Sequence, residues 1–481
     1  MRQFLSHMTE NSEFNNKIST IKLKKLIEIQ NLTDNMNGTV IRIRGFIESI
    51  TSCSSQIFIL LRDRLEKVQC IIFKSTNVSS IYEFSRLKKL PLESFIEIEG
   101  QVVFAEIPIK RATKQNIEIV ISTLNILGPV VSKLPFQLKD CKIAGKESDT
   151  NTITVGYNLR LDNRFLDFRL PVTQSIIKII DQTMYTFRTY LRTHEFIEIK
   201  TSKIIQSGSE GGANLFSLNY FNKPAYLAQS PQLYKQLAII GGLKRVYEIG
   251  HVYRAEVSNI NRYLSEFVGL DIEMEMETTY IDFIHFLHSL FINIFESFKN
   301  EMKKELEIIR QYYEFADLKY RSTPIIITYK DAVDMLKSKN IQIDYGCDFS
   351  REHERILGKI IKDKEDIDIF TIIDYPSSIR AFYSYIDETT KLTRSYDFIV
   401  RGEEILSGAQ RENRYDYLKK AVIDKGLNPE NLKNYLEAFK YGAPPHIGCG
   451  IGLERFLKAY FGFDDIRYFS LFPRDPNRIF P

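Results

Sequence analysis

Arg254 and Glu256 stand two residues apart, and after a polar loop Phe267, Asp271, Glu273 and Glu275 recur at every second or fourth position. In an extended strand such positions share a face. A hairpin over 247–276 would therefore line one pocket with a guanidinium, an aromatic plate and several acids. A guanidinium grips phosphate or carboxylate through two parallel hydrogen bonds. A phenyl ring offers a flat surface to a base, and spaced acids receive ammonium groups or metal. The set suits a nucleotide together with an amino acid. Alternating acids alone would read more simply as the solvated face of a half-buried hairpin.

Three further stretches bear on that choice: SEGGANLFSLNYFNKPAYLAQSPQLYKQLAI (209–239), RGEEILSGAQR (401–411) and PPHIGCGIGLERF (444–456), with LFPRDPNRIFP closing the chain. With YRAEVSNINRYLSEFVGLDIEMEM they resemble, in order, the motifs of the class II aminoacyl-tRNA synthetases. The phrase EFVGLDIEMEM resembles the aspartate-specific branch of archaeal and eukaryotic cytosolic type. The resemblance runs from about residue 38 to the C-terminus.

The resemblance implies ATP and magnesium (Mg2+) as cofactors, with L-aspartate and tRNA(Asp) as substrates. Arg254 would clamp the α-phosphate and the substrate α-carboxylate, and Arg455 would take the γ-phosphate. Phe267 would stack on adenine, Glu256 would accept from its amino group, and Arg262 would assist at the phosphates. Glu404 and Ser407, with Asp397 nearby, would offer hard oxygen ligands to magnesium. Around the amino acid, Lys235 and Arg411 would hold the side-chain carboxylate, and Glu210, Gln232, Asp271 and Ser407 would complete the pocket. Ser209–Gly212 resembles the family's mobile loop. A bidentate arginine prefers carboxylate to carboxamide, which favours aspartate; the asparagine enzyme, which shares most of these motifs, is the nearest alternative. An idle tRNA-binding paralogue is another. Departures from the family pattern are Ser202 in place of a proline, Asn261 and Tyr263 in place of histidines, and Ile447 and Cys449 in place of small residues.

These groups need a scaffold. The 481 residues are 44% hydrophobic and 26% charged, enough for two or three soluble cores. No apolar run reaches the ~18 residues of a membrane span, and the first residues lack a signal-peptide pattern. Five scattered cysteines without a CxxC pair read as reduced, buried thiols of a cytosolic protein. The net charge of +4 sits before residue 130, with 17 Lys and Arg against 13 Asp and Glu there and 48 against 48 beyond. A mildly basic N-terminal module fits nucleic-acid contact.

Residues 1–37 form a polar extension with a short basic helix candidate, TIKLKKLIEIQ. From 38 to 130, alternating segments such as VIRIR and FIEIEG predict five strands with a helical insert near 79–90. They fit a small barrel, which the resemblance identifies as an OB-fold anticodon-binding domain. There Phe58, Gln69 and Glu118 match residues that stack on or hydrogen-bond anticodon bases. Residues 131–170 read as a hinge and linker, with GKESDTNT (145–152) as an exposed loop. From 171 to 481, helices at 171–193, 279–306 and 414–439 alternate with strands including TPIIIT, IDIFTIIDYP, RAFYSYID and SYDFIVRGEEILSG. That order predicts an α+β fold with an antiparallel-sheet catalytic domain. Neither a P-loop nor a dinucleotide motif occurs. The partners expected are tRNA and a second copy in a homodimer, with no membrane and no DNA.

Overall fold

The computed structural model describes residues 26–74, 84–141, 154–208, 215–256 and 261–480. These form two compact units, one up to Gln137 and one from Leu138 onward.

In the first unit, β1 (Val40–Ser52), β2 (Gln56–Asp63), β3 (Glu66–Phe73), β4 (Phe95–Phe104) and β5 (Ile117–Gly128) close into a barrel in the order β1-β2-β3-β5-β4. Alternation sets the two faces. Ile96, Ile98 and Val102 of β4 are sealed inside, as are Ile57 and Ile59 of β2. At the closest approach of strands a side chain is impossible. A Cβ on Gly100 would lie 2.4 Å from the Val120 carbonyl oxygen. The expected basic helix is corrected where it is described. Leu26 bridges to Arg42, and Ile29, in a single 3-10 turn, is fully buried in the barrel core. The hydrophobic Ile29 gains more from burial than a solvated helix would offer.

The second unit is built on an eight-stranded sheet. In chain order its elements are α1 (Pro171–Thr193), β6 (Ile197–Glu198), β7 (Ile204–Ile205), β8 (Ser217–Tyr220), β9 (Lys223–Leu227), α2 (Gln232–Ile240), β10 (Arg245–Tyr253), β11 (Glu266–Glu275), α3 (Tyr280–Glu301) and α4 (Lys303–Tyr312). There follow β12 (Ile326–Thr328), α5 (Tyr329–Ser338), α6 (Arg351–Glu365), β13 (Ile369–Ile373), β14 (Ser395–Val400), β15 (Glu403–Gln410), α7 (Tyr415–Asp424), α8 (Lys433–Ala438), β16 (His446–Gly452) and α9 (Leu453–Phe461). The sheet runs β12-β13-β14-β15-β16-β11-β10-β6, while β7, β9 and β8 form a separate small sheet. Five of its pairings are antiparallel; only β12–β13 and β10–β6 are parallel. One face packs on α3 and α9 through rings such as Phe291, Phe398 and Phe456.

Three expectations need correction. RAFYSYID is not a strand; its backbone forms isolated bridges at Ser384 and Ile386. The helix expected over 414–439 breaks into α7 and α8, because Gly426 takes a left-handed conformation at φ 72°. Two cysteines, Cys53 and Cys347, are exposed, whereas Cys70, Cys141 and Cys449 are buried. The loop at 145–152 lies outside the described residues.

Candidate functional site

The register of the sheet explains where the polar residues collect. Asp397 pairs with Ser407, Ser407 with Gly450, Gly450 with Asp271, and Asp271 with Glu248. Paired residues share a face, so one row crosses five strands on the side away from α3. Gly450 contributes no side chain mid-row, and a cavity of about 550 Å³ opens above it. Ile447 and Cys449 alternate onto the opposite, packed face. Burial pushes the Cys449 thiol up to about 12.

At one end the cavity is lined by Arg254, Glu256, Arg262, Tyr263, Phe267, Gly452, Glu454, Arg455 and Glu404. Arg254 lies just beyond β10, its N–H donating to the Ser265 carbonyl, with its guanidinium 5.6 Å from the Phe267 ring centroid. Arg455 enters on the first turn of α9 and lies 5.6 Å from the Tyr263 ring. The tyrosine thus supports the arginine by its π face, an interaction histidine provides less well when protonated. Arg262 is deeply buried, donating to Glu354 at 3.0 Å and lying 3.5 Å from Glu403. There it is paired with two acids while still lining the cavity beside Tyr263 and Arg455. Glu454 accepts the Val268 N–H with both oxygens, and burial raises its carboxyl to about 8.

At the other end lie Gln229, Gln232, Asp271, Tyr383, Ser407 and Arg411. Arg411, on the strand end of β15, is almost fully buried. Its Nε and Nη2 donate to Glu273 at 2.8 and 3.0 Å, and Nη2 also reaches Gln232 Oε1 at 3.4 Å. The expected fork on a substrate carboxylate is therefore occupied by Glu273; Nη1 has no protein partner among the described residues. Lys235, projecting from α2, donates to Asp271 Oδ1 at 3.0 Å and the Cys449 carbonyl at 2.9 Å, and sits 3.3 Å from Glu273. It stands behind the cavity wall, not in it. The two flanking cations hold the Glu273 carboxyl below its ordinary value against burial. Asp271, more weakly compensated, is raised by burial. Glu273 fills the space over Gly448, where a Cβ would come within 2.0 Å of its Oε2. Glu273 and Glu275 thus do not line the cavity, contrary to the simple hairpin face. Glu210 lies outside the described residues.

Between the ends, a positive-φ turn at Arg401 and Gly402 joins β14 to β15 and brings Glu404 near Asp397. Burial and the Asp397 charge push Glu404 up to about 7. Asp397 Oδ1 is buried without a hydrogen-bond partner among the described residues. Two carboxylates and the Ser407 hydroxyl form a hard-oxygen set that fits a magnesium ion. Arg380, which belongs to no recognisable motif, lies 3.5 Å over the Tyr375 ring, pairs with Asp397 and donates to Ser407 at 3.1 Å. It comes from the segment wrongly expected as a strand. Glu354, the acid that neutralises Arg262, comes from α6; its only sequence signal was a helical periodicity.

On the barrel, Phe58 is half-exposed while its neighbours Ile57 and Ile59 point inward. Leu60 pairs with Gln69 and Gln69 with Glu118, so Phe58, Gln69 and Glu118 share the outer face. The Gln69 amide donates to Glu118 at 3.0 Å.

Residues 156–476 match the tRNA synthetases class II (D, K and N), and residues 41–127 match the OB-fold nucleic acid binding domain. The chain belongs to the class II tRNA synthetases. It is 99% identical over 474 residues, covering 98% of this chain and all of the relative, to a probable cytoplasmic aspartate–tRNA ligase of Enterocytozoon bieneusi (strain H348). A probable cytoplasmic aspartate–tRNA ligase of Encephalitozoon cuniculi (strain GB-M1) is 51% identical, with 97% of this chain and 99% of that one covered. The aspartyl tRNA synthetase structure from Entamoeba histolytica superposes with a TM-score of 0.86 at 36% identity, covering 96% and 94% of the two chains. Within the class, the chain falls among the aspartate–tRNA ligases of cytosolic type.

Proposed function

We infer that the protein activates L-aspartate with ATP to aspartyl-adenylate and transfers the aspartyl group to the 3′-end of tRNA(Asp). The observation that carries this reading is Arg411, a buried guanidinium with one edge directed at the amino-acid end of the cavity. Activation brings a carboxylate to the α-phosphate, so two anions must approach, and no protein nucleophile is needed. Arg254 binds the α-phosphate and the α-carboxylate. Arg455, backed by Tyr263, takes the far phosphates. Phe267 carries the adenine, and Glu256 accepts from its amino group. Gly450 and Gly452 let the nucleotide lie close to β16. Asp271, Gln232 and Ser407 surround the amino acid, and Arg411 meets its side-chain carboxylate. Lys235 acts from behind, keeping Asp271 and Glu273 in place.

Magnesium would be held by Glu404, Asp397 and Ser407, and when bound supplies positive charge against the phosphates. Arg380 keeps Asp397 and Ser407 turned toward the cavity. The barrel binds tRNA, with Phe58 offered for stacking and the Gln69–Glu118 pair for base edges. A homodimer completes the reading: the sheet ends at the two-residue strand β6, whose Ile197 is 48% exposed. The cytoplasm is the compartment, as in the names of the relatives. No helix among the described residues is long and apolar enough to cross a membrane.

Amino-acid-dependent ATP–pyrophosphate exchange, with aspartate, asparagine and lysine in parallel and magnesium present, tests the reading. Exchange with aspartate alone is expected. Exchange with asparagine would reassign the specificity, and no exchange from folded protein would leave an idle paralogue.

A further inference from the structure

Behind the amino-acid end runs a buried chain of hydrogen bonds that contacts no part of the cavity beyond Gln232 and Arg411. Arg411 Nη2 faces Gln232 Oε1 at 3.4 Å; Gln232 Nε2 faces Gln236 Oε1 at 2.9 Å. Gln236 Nε2 faces His446 Nε2 at 2.9 Å, and His446 Nδ1 faces the Pro444 carbonyl at 2.7 Å. The Tyr435 hydroxyl joins at Gln236 Oε1, 3.0 Å away. Gln236 and His446 are both fully buried.

The polarity of this chain is forced from both ends. A guanidinium only donates, so Gln232 must present its oxygen to Arg411 and its amide N–H to Gln236. Gln236 must then turn its oxygen to Gln232 and its N–H to His446, whose Nε2 must be bare. At the far end a carbonyl only accepts, so His446 Nδ1 must carry the proton. Both ends demand the same neutral tautomer. The charged groups facing the ring are Glu273 and Arg411, and Glu275 lies opposite it in the β11–β16 register. Burial holds the imidazole below its ordinary value, Glu273 opposes that, and Arg411 reinforces it.

Resting on the aspartate reading, we propose that His446 is a positioning residue that fixes the Gln232 amide through Gln236 and thereby orients Arg411 for a carboxylate. Were Nε2 to gain a proton, Gln236 would have to reverse its amide and Gln232 after it. A donor would then face Arg411, and the guanidinium would lose the acceptor that, with Glu273, determines which edge it shows the substrate. His446 touches no substrate, and its effect runs entirely through polarity.

Two measurements on the full chain test this. In protein labelled with 15N-histidine, with the seven resonances sorted by comparison with His446→Leu, His446 is expected to show protonated Nδ1 and bare Nε2. A proton on Nε2 would overturn the relay whatever the enzyme's substrate. In pyrophosphate exchange, His446→Leu should raise the KM for aspartate about tenfold, the scale of one buried hydrogen bond left unmade, with the KM for ATP nearly unchanged. His446→Gln, whose side-chain oxygen can accept from Gln236, should recover most of the loss. Parallel rises in both KM values, or equal defects in the Leu and Gln variants at matched thermal stability, would overturn it. Wild-type protein that exchanges with no aspartate would refute the aspartate reading while leaving the tautomer measurement decisive for the relay.

Discussion

Replacing Arg411 by leucine separates two consequences that are usually confounded. Arg411 is 3% exposed and Glu273 0%, and two hydrogen bonds of 2.8 and 3.0 Å join them. Breaking a buried ion pair from one side costs about 3–5 kcal/mol, because the abandoned charge stays buried. Lys235 remains 3.3 Å from Glu273, which places the loss near the lower end, about 3 kcal/mol. The substrate carboxylate would lose its cation as well, a penalty of about 3 kcal/mol or roughly a hundredfold in kcat/KM for aspartate. Glu273→Gln added to Arg411→Leu removes the stranded charge. The double variant should therefore regain most of the thermal stability of the wild type but none of its aspartate-dependent exchange. ATP affinity, measured by equilibrium binding, should change little in either. Recovery of exchange together with stability would show that Arg411 serves only to satisfy Glu273. An equal loss of ATP affinity would refute its assignment to the amino-acid end.

Phe58→Ala should reduce tRNA charging by about 1–3 kcal/mol of lost stacking while aspartate-dependent exchange stays intact; an equal fall in both would make Phe58 a folding residue. Glu454→Gln tests the buried carboxyl beneath the Phe267 strand. Its folded value, about 8, exceeds the ordinary 4.5, so the stability it contributes is complete below about 4.5 and drains away as pH rises through about 8. Gln mimics the neutral form, so the variant's melting temperature relative to wild type should rise between pH 5 and pH 8; a constant difference would refute the burial of an uncharged Glu454.

The legible parts of the molecule were those in which a local pattern and a long-range requirement coincide. The period-two alternation of VIRIR and FIEIEG predicts barrel strands because one face of each must be dry, and β1 and β4 occupy those residues. Arg254, Phe267 and Arg455 are legible through their place in motifs that resemble the class II synthetases; their spacing alone fits a half-buried hairpin as well. Arg380 carried no such signal. Its segment has aromatics at strand-like spacing, yet those rings pack against α7 and α8, and its guanidinium is stationed by Tyr375 and Asp397 from elsewhere in the chain. The fates of Lys235 and Arg262 were equally hidden. A lysine on an amphipathic helix looks the same whether it faces a cavity or, as here, three acceptors across two strands.

Gly448 has a bearing on how variation in this chain is to be interpreted. It borders no part of the cavity, yet any side chain at that position would collide with the carboxylate that steadies Arg411. In a saturation scan scored by growth, position 448 should cluster with the substrate-contacting arginines and not with its packed neighbours Ile447 and Cys449. A ranking of variants by distance to the substrate would misplace it. So would a ranking by side-chain chemistry, since the position functions by having none.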